Sequence, residues 1–318
     1  MSGIKVGLIG GSGLGEAMRE ATASEAVRHA VETPFGRPSD EIVETQWNGV
    51  PVFFLSRHGP GHLLNPSQVP YRANIFALKQ LGVTHVIASG AVGSLREEFH
   101  PRNLVIPEQI LDKTFKRAGT FFENAAVHVE FSEPFCPVLR RMIVEASAAE
   151  TDFKTHTRGC YVCMEGPAFS TRAESLMHRL WGGDLIGMTA MPEAKLAREA
   201  EMSYALVALV TDYDCWRRPP ASALQAPASA APGGDATAAT GAADPYVLLE
   251  EIIANLRAAS DNGVRLIRRV VERMAGRQDE LLAAPARQAL RLAIWSDKPR
   301  VPAEEVERLA LLWKQYFA

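Results

Sequence analysis

The stretch ALVALVTDYDCW, residues 205–216, joins an apolar run to two alternating carboxylates. Its first six residues have the continuous apolar character of a strand buried on both faces, as in parallel sheets covered by helices. Asp212 and Asp214 follow where this strand should end, and in an extended backbone they point to the same side. Open α/β sheets bind ligands at the carboxyl ends of their strands, so the two acids are candidate ligand-binding residues. A turn with two solvated acids is the alternative, because Asp is a common turn residue.

Strand-like and helical patterns alternate along the rest of the chain. Short apolar runs typical of strands occur at 6–9, 52–55, 85–88, 104–106, 160–164 and 185–188. Apolar residues at three- and four-residue spacing, typical of helices, occur at 70–81, 136–150, 170–181 and 191–200. The alternation predicts an α/β fold: a single-domain mixed, largely parallel twisted sheet with a barrel-like portion, flanked by helices.

The chain is predicted to consist of a main domain over 1–278 and a helical C-terminal extension over 279–318. Between 219 and 245 the sequence is almost entirely Ala, Pro, Ser, Gly and Thr. Such a segment has too few large apolar groups to offset its ordering entropy, which predicts a mobile loop. A helix is expected to resume at Asp244-Pro245, because Asp can cap it and Pro fits its first turn.

Composition excludes several classes of protein. The 318 residues carry a formal net charge of -3 and are 47% hydrophobic, which suits a large domain with a substantial core. No stripe of Lys and Arg suggests a nucleic-acid partner, and no apolar run approaches the length of a membrane span. The N-terminal sequence lacks the pattern of a signal peptide, so a cytoplasmic location is expected.

The four cysteines are expected to be reduced thiols. Cys160 and Cys163 have C-x-x-C spacing, but in a strand they would face opposite sides, and no second pair completes a zinc set. No metal is therefore expected.

Three other strand ends carry groups suited to an anion. The first run opens into GGSGLG at 10–15, a turn that lets backbone N–H groups approach an oxyanion although it matches neither the dinucleotide nor the Walker pattern. The second run ends in Arg57 and His58, a planar donor fork beside a second donor. The third opens into the small-residue loop SGAVGS at 89–94. Each fits an ordinary turn by itself, but three in succession favour an anion site.

Further motifs extend this pattern along the chain. They are TPFG at 33–36, GSLR at 93–96, EGP at 165–167, RAES at 172–175, MT at 188–189 and PE at 192–193. Together with the glycine-rich turn, Arg57-His58-Gly59 and TDYDCW at 211–216, they resemble the methylthioadenosine phosphorylases, trimeric members of the purine nucleoside phosphorylase family. The likeness spans about residues 5–216 and resumes weakly at 244–271.

The resemblance implies phosphorolysis of 5′-methylthioadenosine to adenine and 5-methylthioribose 1-phosphate by a homotrimer. Inorganic phosphate would be a co-substrate, with no other cofactor. The residues that it implies for phosphate binding are Ser12, Arg57, His58, Gly90, Ala91 and Thr189. Those that it implies for nucleoside binding are Phe169, Ser170, Met188, Asp212, Tyr213 and Asp214.

Asp212 and Asp214 are the implied catalytic pair, with Asp212 delivering or sharing a proton at purine N7. An ionised carboxylate only accepts hydrogen bonds, so it suits the 6-amino donor of adenine rather than a 6-oxo group. Leu249 and Ser170 are the candidate specificity residues. Because no histidine follows position 178, the late helix offers the sugar an apolar wall, which suits a methylthio group. His128 is a candidate contribution from a neighbouring subunit.

Three positions depart from the family pattern. Ser12 replaces the threonine that is common in the phosphate loop, which keeps the hydroxyl. Gly90 stands where relatives usually carry a threonine that binds phosphate, and Ala168 stands where an arginine is frequent. A 6-oxopurine nucleoside or methylthioinosine phosphorylase therefore stays open, as does a catalytically silent nucleoside-binding homologue. A nucleosidase that uses water would leave the pair Arg57 and His58 without a purpose.

Overall fold

A computed structural model of the chain describes residues 3–11, 26–217 and 245–317. Ser12 and all but the last residue of the loop predicted at 219–245 lie outside these ranges. None of the helices within them combines the length and the apolar character needed to span a bilayer.

Strands and helices alternate through most of the described chain. The strands are β1 Val6–Gly10, β2 Val27–His29, β3 Ile42–Trp47, β4 Val50–Ser56, β5 His85–Ser94, β6 Leu104–Val105, β7 Gln109–Lys113, β8 Thr155–His156, β9 Cys160–Met164, β10 Leu185–Gly187 and β11 Ser203–Asp212. The helices are α1 Tyr71–Gln80, α2 Pro137–Ser147, α3 Arg172–Leu180, α4 Ala190–Glu199, α5 Pro245–Ala275, α6 Gln278–Leu282, α7 Ala303–Arg308 and α8 Ala310–Trp313.

The described strands form one mixed sheet in the order β2-β3-β4-β1-β5-β10-β9-β7. Six of its ten pairings are parallel, which confirms the predicted mixed, largely parallel α/β fold. Strand β5 pairs with β1, β10 and β11, so the pairings branch at β5 and do not close into a ring among the described strands.

Strand β11 is buried along its whole length, as its continuous apolar run predicts. Its side chains alternate between two apolar cores: Leu206 and Ala208 belong to one, Val207 and Leu209 to the other. This is the two-residue period of a strand covered on both faces. Helix α5 packs against β11 and contributes its apolar face to the second core.

Parallel strands β4, β1, β5 and β11 lie side by side, so their carboxyl ends meet at one edge of the sheet. Arg57 follows β4, Gly11 follows β1, Gly90 lies in β5 and Asp212 ends β11. The strand order thus gathers the residues that the sequence places at separate strand ends.

Residues 278–317 pack onto both apolar cores. Leu281 contacts the second core, while Leu290 and Trp313 belong to the first. Helices α6, α7 and α8 are short, and this part of the chain is held by side-chain packing rather than by long helices.

Candidate active site

A cavity of about 430 Å³ lies at the carboxyl edge of the parallel strands. Ten of the residues named from the sequence line it, and they come from five separate parts of the chain. They are Arg57, His58, Gly90, Ala91, Phe169, Ser170, Met188, Thr189, Asp212 and Asp214. Gly11, from the described beginning of the glycine-rich turn, lines it as well.

Three predicted residues within the described ranges do not line this cavity. Tyr213 packs edge-on against Trp216, away from the cavity lining. The Leu249 side chain is 42% exposed. The His128 ring lies 4.7 Å from the exposed ring of Trp295, at an interplanar angle of 60°. Their roles in substrate binding stay predictions.

Helix α5 forms part of the cavity wall through Ile252 and Leu256. These residues lie one and two turns after Leu249, on the same helix that the sequence predicts to supply an apolar wall. Both side chains are partly buried and apolar, so the predicted type of wall is present with a different pair of side chains.

Arg57 is almost completely buried, with 1% of the residue exposed. Its Nε and Nη2 donate to the two carboxylate oxygens of Glu193, each at 2.9 Å, and Nη1 donates to the Ser89 carbonyl oxygen at 2.8 Å. A guanidinium has five N–H groups, so two remain, one on each terminal nitrogen. Nε and one N–H of each terminal nitrogen are therefore bound to protein groups. Only the second N–H of each terminal nitrogen can bind an anion.

Glu193, on α4, enters the sequence argument only as part of a family motif, yet it positions Arg57. Its carboxylate is fully buried and also accepts a hydrogen bond from the Tyr204 hydroxyl at 2.8 Å. Burial acts to lower the pKa of Arg57, but the Glu193 carboxylate outweighs it, and the pKa lies above its ordinary value. The guanidinium is thus kept charged and fixed in orientation.

His58 enters the site as a neutral imidazole. Its Nδ1 lies 2.8 Å from the Leu64 carbonyl oxygen, and because a carbonyl only accepts, Nδ1 carries the proton. Burial, and then the charge of Arg57, lower the pKa of His58 to about 4. At neutral pH its Nε2 therefore bears a lone pair and can accept a hydrogen bond.

Two glycines bring backbone close to the Arg57 guanidinium. A Cβ atom at Gly11 would lie 2.9 Å from Arg57 Nη1, too close for a side chain without displacement. A Cβ at Gly90 would lie 3.5 Å from Thr189 Oγ1 and 3.9 Å from Arg57 Nη1, which are ordinary contacts. The glycine is needed at position 11 for this close approach, whereas position 90 has room for a Cβ.

Asp212 ends strand β11 beyond a register shift that follows Val210. One carboxylate oxygen accepts from the Asp214 backbone N–H at 2.7 Å, and the other accepts from the Thr211 hydroxyl at 2.7 Å. Such an irregularity re-aims a side chain at the end of a strand. The carboxylate is therefore oriented by its own chain neighbours.

Asp214 reaches the cavity by a different backbone path from the one expected. Strand β11 ends at Asp212, and Asp214 begins a 3₁₀ turn with φ of 49°, so the two acids do not share an extended segment. Burial raises the pKa of Asp214, and the nearby Ser175 side chain opposes part of that rise. Both acids still line the same cavity.

Asn255 ties helix α5 to the strand that carries Asp212. Its Nδ2 donates to the Thr211 carbonyl oxygen at 3.0 Å, and its Oδ1 accepts from Arg102 Nε at 2.8 Å. The residue is buried. Since Ile252 and Leu256 lie on the same helix, this link fixes the apolar wall relative to the carboxylate end.

A second buried arginine supports the wall formed by Met188. Arg117 Nη1 donates to the carbonyl oxygens of Met188, at 2.5 Å, and Met191, at 2.7 Å, while Nε pairs with Glu165 at 3.2 Å. Phe169 lies at the mouth of the cavity and is half-exposed. The cavity lining thus includes an aromatic face and a thioether besides its cationic and acidic groups.

Sequence comparison assigns the chain to a family. Residues 5–272 match the model of the phosphorylase superfamily. The chain belongs to the phosphorylase superfamily. The S-methyl-5′-thioadenosine phosphorylase of Chloroflexus aurantiacus is 45% identical over 320 residues, which cover 100% of both chains.

Solved structures agree with this assignment to the superfamily. A methylthioadenosine phosphorylase from an Antarctic soil metagenomic library has a TM-score of 0.80 and 41% identity, with 98% of this chain and 99% of that chain covered. The methylthioadenosine phosphorylase of Schistosoma mansoni in complex with adenine has a TM-score of 0.76 and 32% identity, with 92% and 99% covered. The resemblance seen in the motifs is therefore confirmed over nearly the full length of this chain and of these relatives.

Proposed function

We propose that the chain catalyses the phosphorolysis of 5′-methylthioadenosine to adenine and 5-methylthioribose 1-phosphate. The observation that carries the proposal is the content of one cavity, which Arg57 and His58 line together with Asp212 and Asp214. A pentosyltransferase of this type needs an anion site and an acid site that face the two sides of one glycosidic bond. The two similar proteins from Chloroflexus aurantiacus and from the Antarctic soil library are both named methylthioadenosine phosphorylases.

In this reaction the bond between ribose C1′ and purine N9 breaks, and a phosphate oxygen forms the new bond to C1′. The electron pair of the broken bond leaves with the purine, while positive charge grows on the ribose ring. A phosphate held by Arg57, Thr189 and the backbone at Gly90 would stabilise that charge. Because Glu193 already fixes the Arg57 guanidinium, the Arg57 side chain need not reorient when phosphate binds.

His58 is proposed to bind the phosphate as a hydrogen-bond acceptor. Its Nδ1 proton is committed to the Leu64 carbonyl oxygen, so the neutral ring presents Nε2 without a proton. The hydroxyl of a monoprotonated phosphate ion can donate to that atom.

The purine is proposed to lie between Phe169 and the two acids. Asp212 would hydrogen-bond at N7 and share the proton that the departing base takes up, which is general acid catalysis. As acceptors, the acids suit the 6-amino group of adenine.

The 5′ substituent is proposed to contact the apolar wall of helix α5. Ile252 and Leu256 line the cavity, and a hydroxyl placed against them would lack a hydrogen-bond partner, a penalty of roughly 1–3 kcal/mol. A methylthio group would be accommodated without that penalty. Leu249 and Ser170 remain proposed specificity residues.

We further propose a homotrimer that needs no cofactor besides its co-substrate phosphate and that works in purine and methionine salvage in the cytoplasm. Exposed apolar side chains near His128, namely Leu292 and Trp295, suit a subunit contact. The four cysteines, all within the described ranges, form no disulfide, as is usual in a reducing compartment. Light scattering tests the trimer, which should weigh three times 34.7 kDa.

A substrate panel tests the proposed reaction. Pure protein is incubated with methylthioadenosine, methylthioinosine, adenosine or inosine, each with and without inorganic phosphate, and base release is measured. We expect phosphate-dependent release of adenine, fastest from methylthioadenosine. Release without phosphate would indicate a nucleosidase, a preference for inosine compounds would contradict the aminopurine assignment, and no release from any compound would indicate a silent homologue.

A further inference from the structure

A second cavity, also of about 430 Å³, lies between the main body and the C-terminal residues. Its polar lining residues are Lys79 near the end of α1, Glu201 just after α4, and Arg287 and Gln315 from the C-terminal part. It shares no lining residue with the first cavity.

The two cations that line this second cavity have no ion-pair partner among the described residues. Lys79 Nζ donates to the Ala200 carbonyl oxygen at 2.7 Å, and Arg287 Nη1 donates to the Glu201 carbonyl oxygen at 3.3 Å. Arg287 Nε is buried and has no hydrogen-bond partner within the described part of the chain. Each cation therefore donates to a neutral carbonyl group rather than to a carboxylate. The Arg287 Nε donor has no acceptor among the described residues.

The Glu201 carboxylate offsets only part of the lowering of the pKa of Lys79 and Arg287, and neutral donors occupy its oxygens. Oε1 accepts from the Leu290 backbone N–H at 3.0 Å and from the Tyr316 hydroxyl at 2.7 Å. Oε2 accepts from Gln315 Nε2 at 3.3 Å. Within the described ranges, Glu201 forms no ion pair with Lys79 or Arg287. Its contacts instead hold the C-terminal residues against the main body.

Electrostatics point the same way as these contacts. Burial, and then the neighbouring charge of Arg287, lower the pKa of Lys79 to about 8. Burial also lowers the pKa of Arg287, and Glu201 only partly offsets it. Two cations that destabilise each other at a partly buried position would both be stabilised by an added anion.

We propose that this second cavity binds a small dianionic metabolite, a phosphate monoester or a dicarboxylate, between Lys79 and Arg287. Hydrogen bonds from charged nitrogen donors to an oxyanion are among the strongest that proteins make, and Nζ and Nε are the donors still available here. A volume of 430 Å³ lies within the range of small-molecule sites, which is roughly 300–1,000 Å³. The cavity therefore has room for an organic group as well as for the charged end.

The proposed anion site is separate from the phosphate site of the proposed reaction. Helix α4 runs between them, from the end that carries Glu193 to the end that precedes Glu201. Ten residues of helix measure about 15 Å. Occupancy of the two cavities can therefore be observed independently.

Crystals soaked in sodium selenate test the site directly, because selenium gives an anomalous signal that locates the dianion. We expect a peak within hydrogen-bond distance of Lys79 Nζ and Arg287 Nε. The first cavity serves as an internal control for anion access. A peak beside Arg57 with none between Lys79 and Arg287 would overturn the proposal, and so would the absence of both peaks in crystals of protein that shows phosphate-dependent turnover.

Titration calorimetry with glycerol 2-phosphate and with malonate distinguishes the two kinds of dianion. Arg287→Gln should weaken the tighter of the two ligands by about tenfold, the effect of losing one charged hydrogen bond. Arg300→Gln removes an equal charge from an exposed position in the same part of the chain and should change the affinity less than twofold. Lys79→Gln is the second test variant if Arg287→Gln does not fold. Equal effects of the test and control variants, or no binding of either ligand to the wild type, would overturn the proposal.

Discussion

Glu193→Gln is the substitution that tests the buried ion pair of the first cavity. In the wild type the carboxylate accepts two hydrogen bonds from Arg57 and one from Tyr204, and neither Arg57 nor Glu193 has more than 1% exposure. Gln keeps the shape of the side chain and one acceptor oxygen. Its amide nitrogen, however, would face an N–H group of Arg57, which is also a donor. The Arg57 charge would then stay buried without a counter-charge.

Removal of one partner of a buried pair typically destabilises a protein by about 3–5 kcal/mol, because the other charge is left unpaired. Gln retains part of the hydrogen bonding, so we expect the lower end of that range, a loss of about 3 kcal/mol in the free energy of unfolding. Inorganic phosphate bound beside Arg57 would restore a negative partner. Phosphate should therefore stabilise the variant more than the wild type.

The assay is urea unfolding at neutral pH, followed by fluorescence, with and without saturating inorganic phosphate. Glu307→Gln is the control, because Glu307 pairs with Lys314 on the surface, and such exposed pairs contribute about 0–1 kcal/mol. A Glu193→Gln variant as stable as this control would refute the assignment of Glu193 as the counter-charge. Equal stabilisation of wild type and variant by phosphate would refute the placement of phosphate beside Arg57.

Three further predictions concern single side chains. Asp212→Asn can keep the hydrogen bond from the Asp214 N–H, and kcat/KM for methylthioadenosine should fall by about 10²–10⁴ while the KM for phosphate changes less than about threefold. Gly90→Thr adds a hydroxyl next to Thr189, where a Cβ fits, and should lower the KM for phosphate about threefold to tenfold in initial-rate assays. Lys79 has a folded pKa of about 8 against an ordinary 10.5, so the unfolded chain binds more protons between these values and stability should rise with pH there. Lys79→Met should reduce that rise in denaturant melts.

Each of these predictions has an outcome that contradicts it. Equal losses in nucleoside turnover and phosphate binding in Asp212→Asn would mean that the acid is misassigned. Gly90→Ala is the control for Gly90→Thr, since it adds the Cβ without the hydroxyl, and an identical KM for phosphate in both would remove the proposed hydrogen bond. An unchanged rise of stability with pH in Lys79→Met would show that the lysine is not the titrating group.

The sequence predicts those features that depend on local pattern. The apolar run that includes Val207 and Leu209 is a buried strand with alternating faces, because both of its faces are covered. Arg57, His58 and Asp212 meet in one cavity because parallel strands place their carboxyl ends together. Strands β2, β3, β7 and β8 lack continuous apolar runs, so the apolar pattern does not predict them. The hairpin between β3 and β4 nevertheless has a local signal, Asn48-Gly49, with positive φ at both residues.

Partners that are distant in sequence could not be predicted from local pattern. Glu193 and Arg57 are 136 residues apart, and only the folded sheet brings them together. The turn at Asp214 depends on a register shift within the sheet that no local periodicity encodes. Ile252 rather than Leu249 lines the cavity. The low-complexity segment before helix α5 contains no residue that fixes the rotation of the helix, so the sequence does not predict which side chain faces the cavity.

The hydrogen bond from Asn255 to the Thr211 carbonyl oxygen supplies such a constraint. It fixes the rotation of helix α5 at a point between Ile252 and Leu256, the two side chains that form the apolar wall. Insertions, deletions or exchanges within residues 218–244 therefore need not alter the presentation of Ile252 or Leu256.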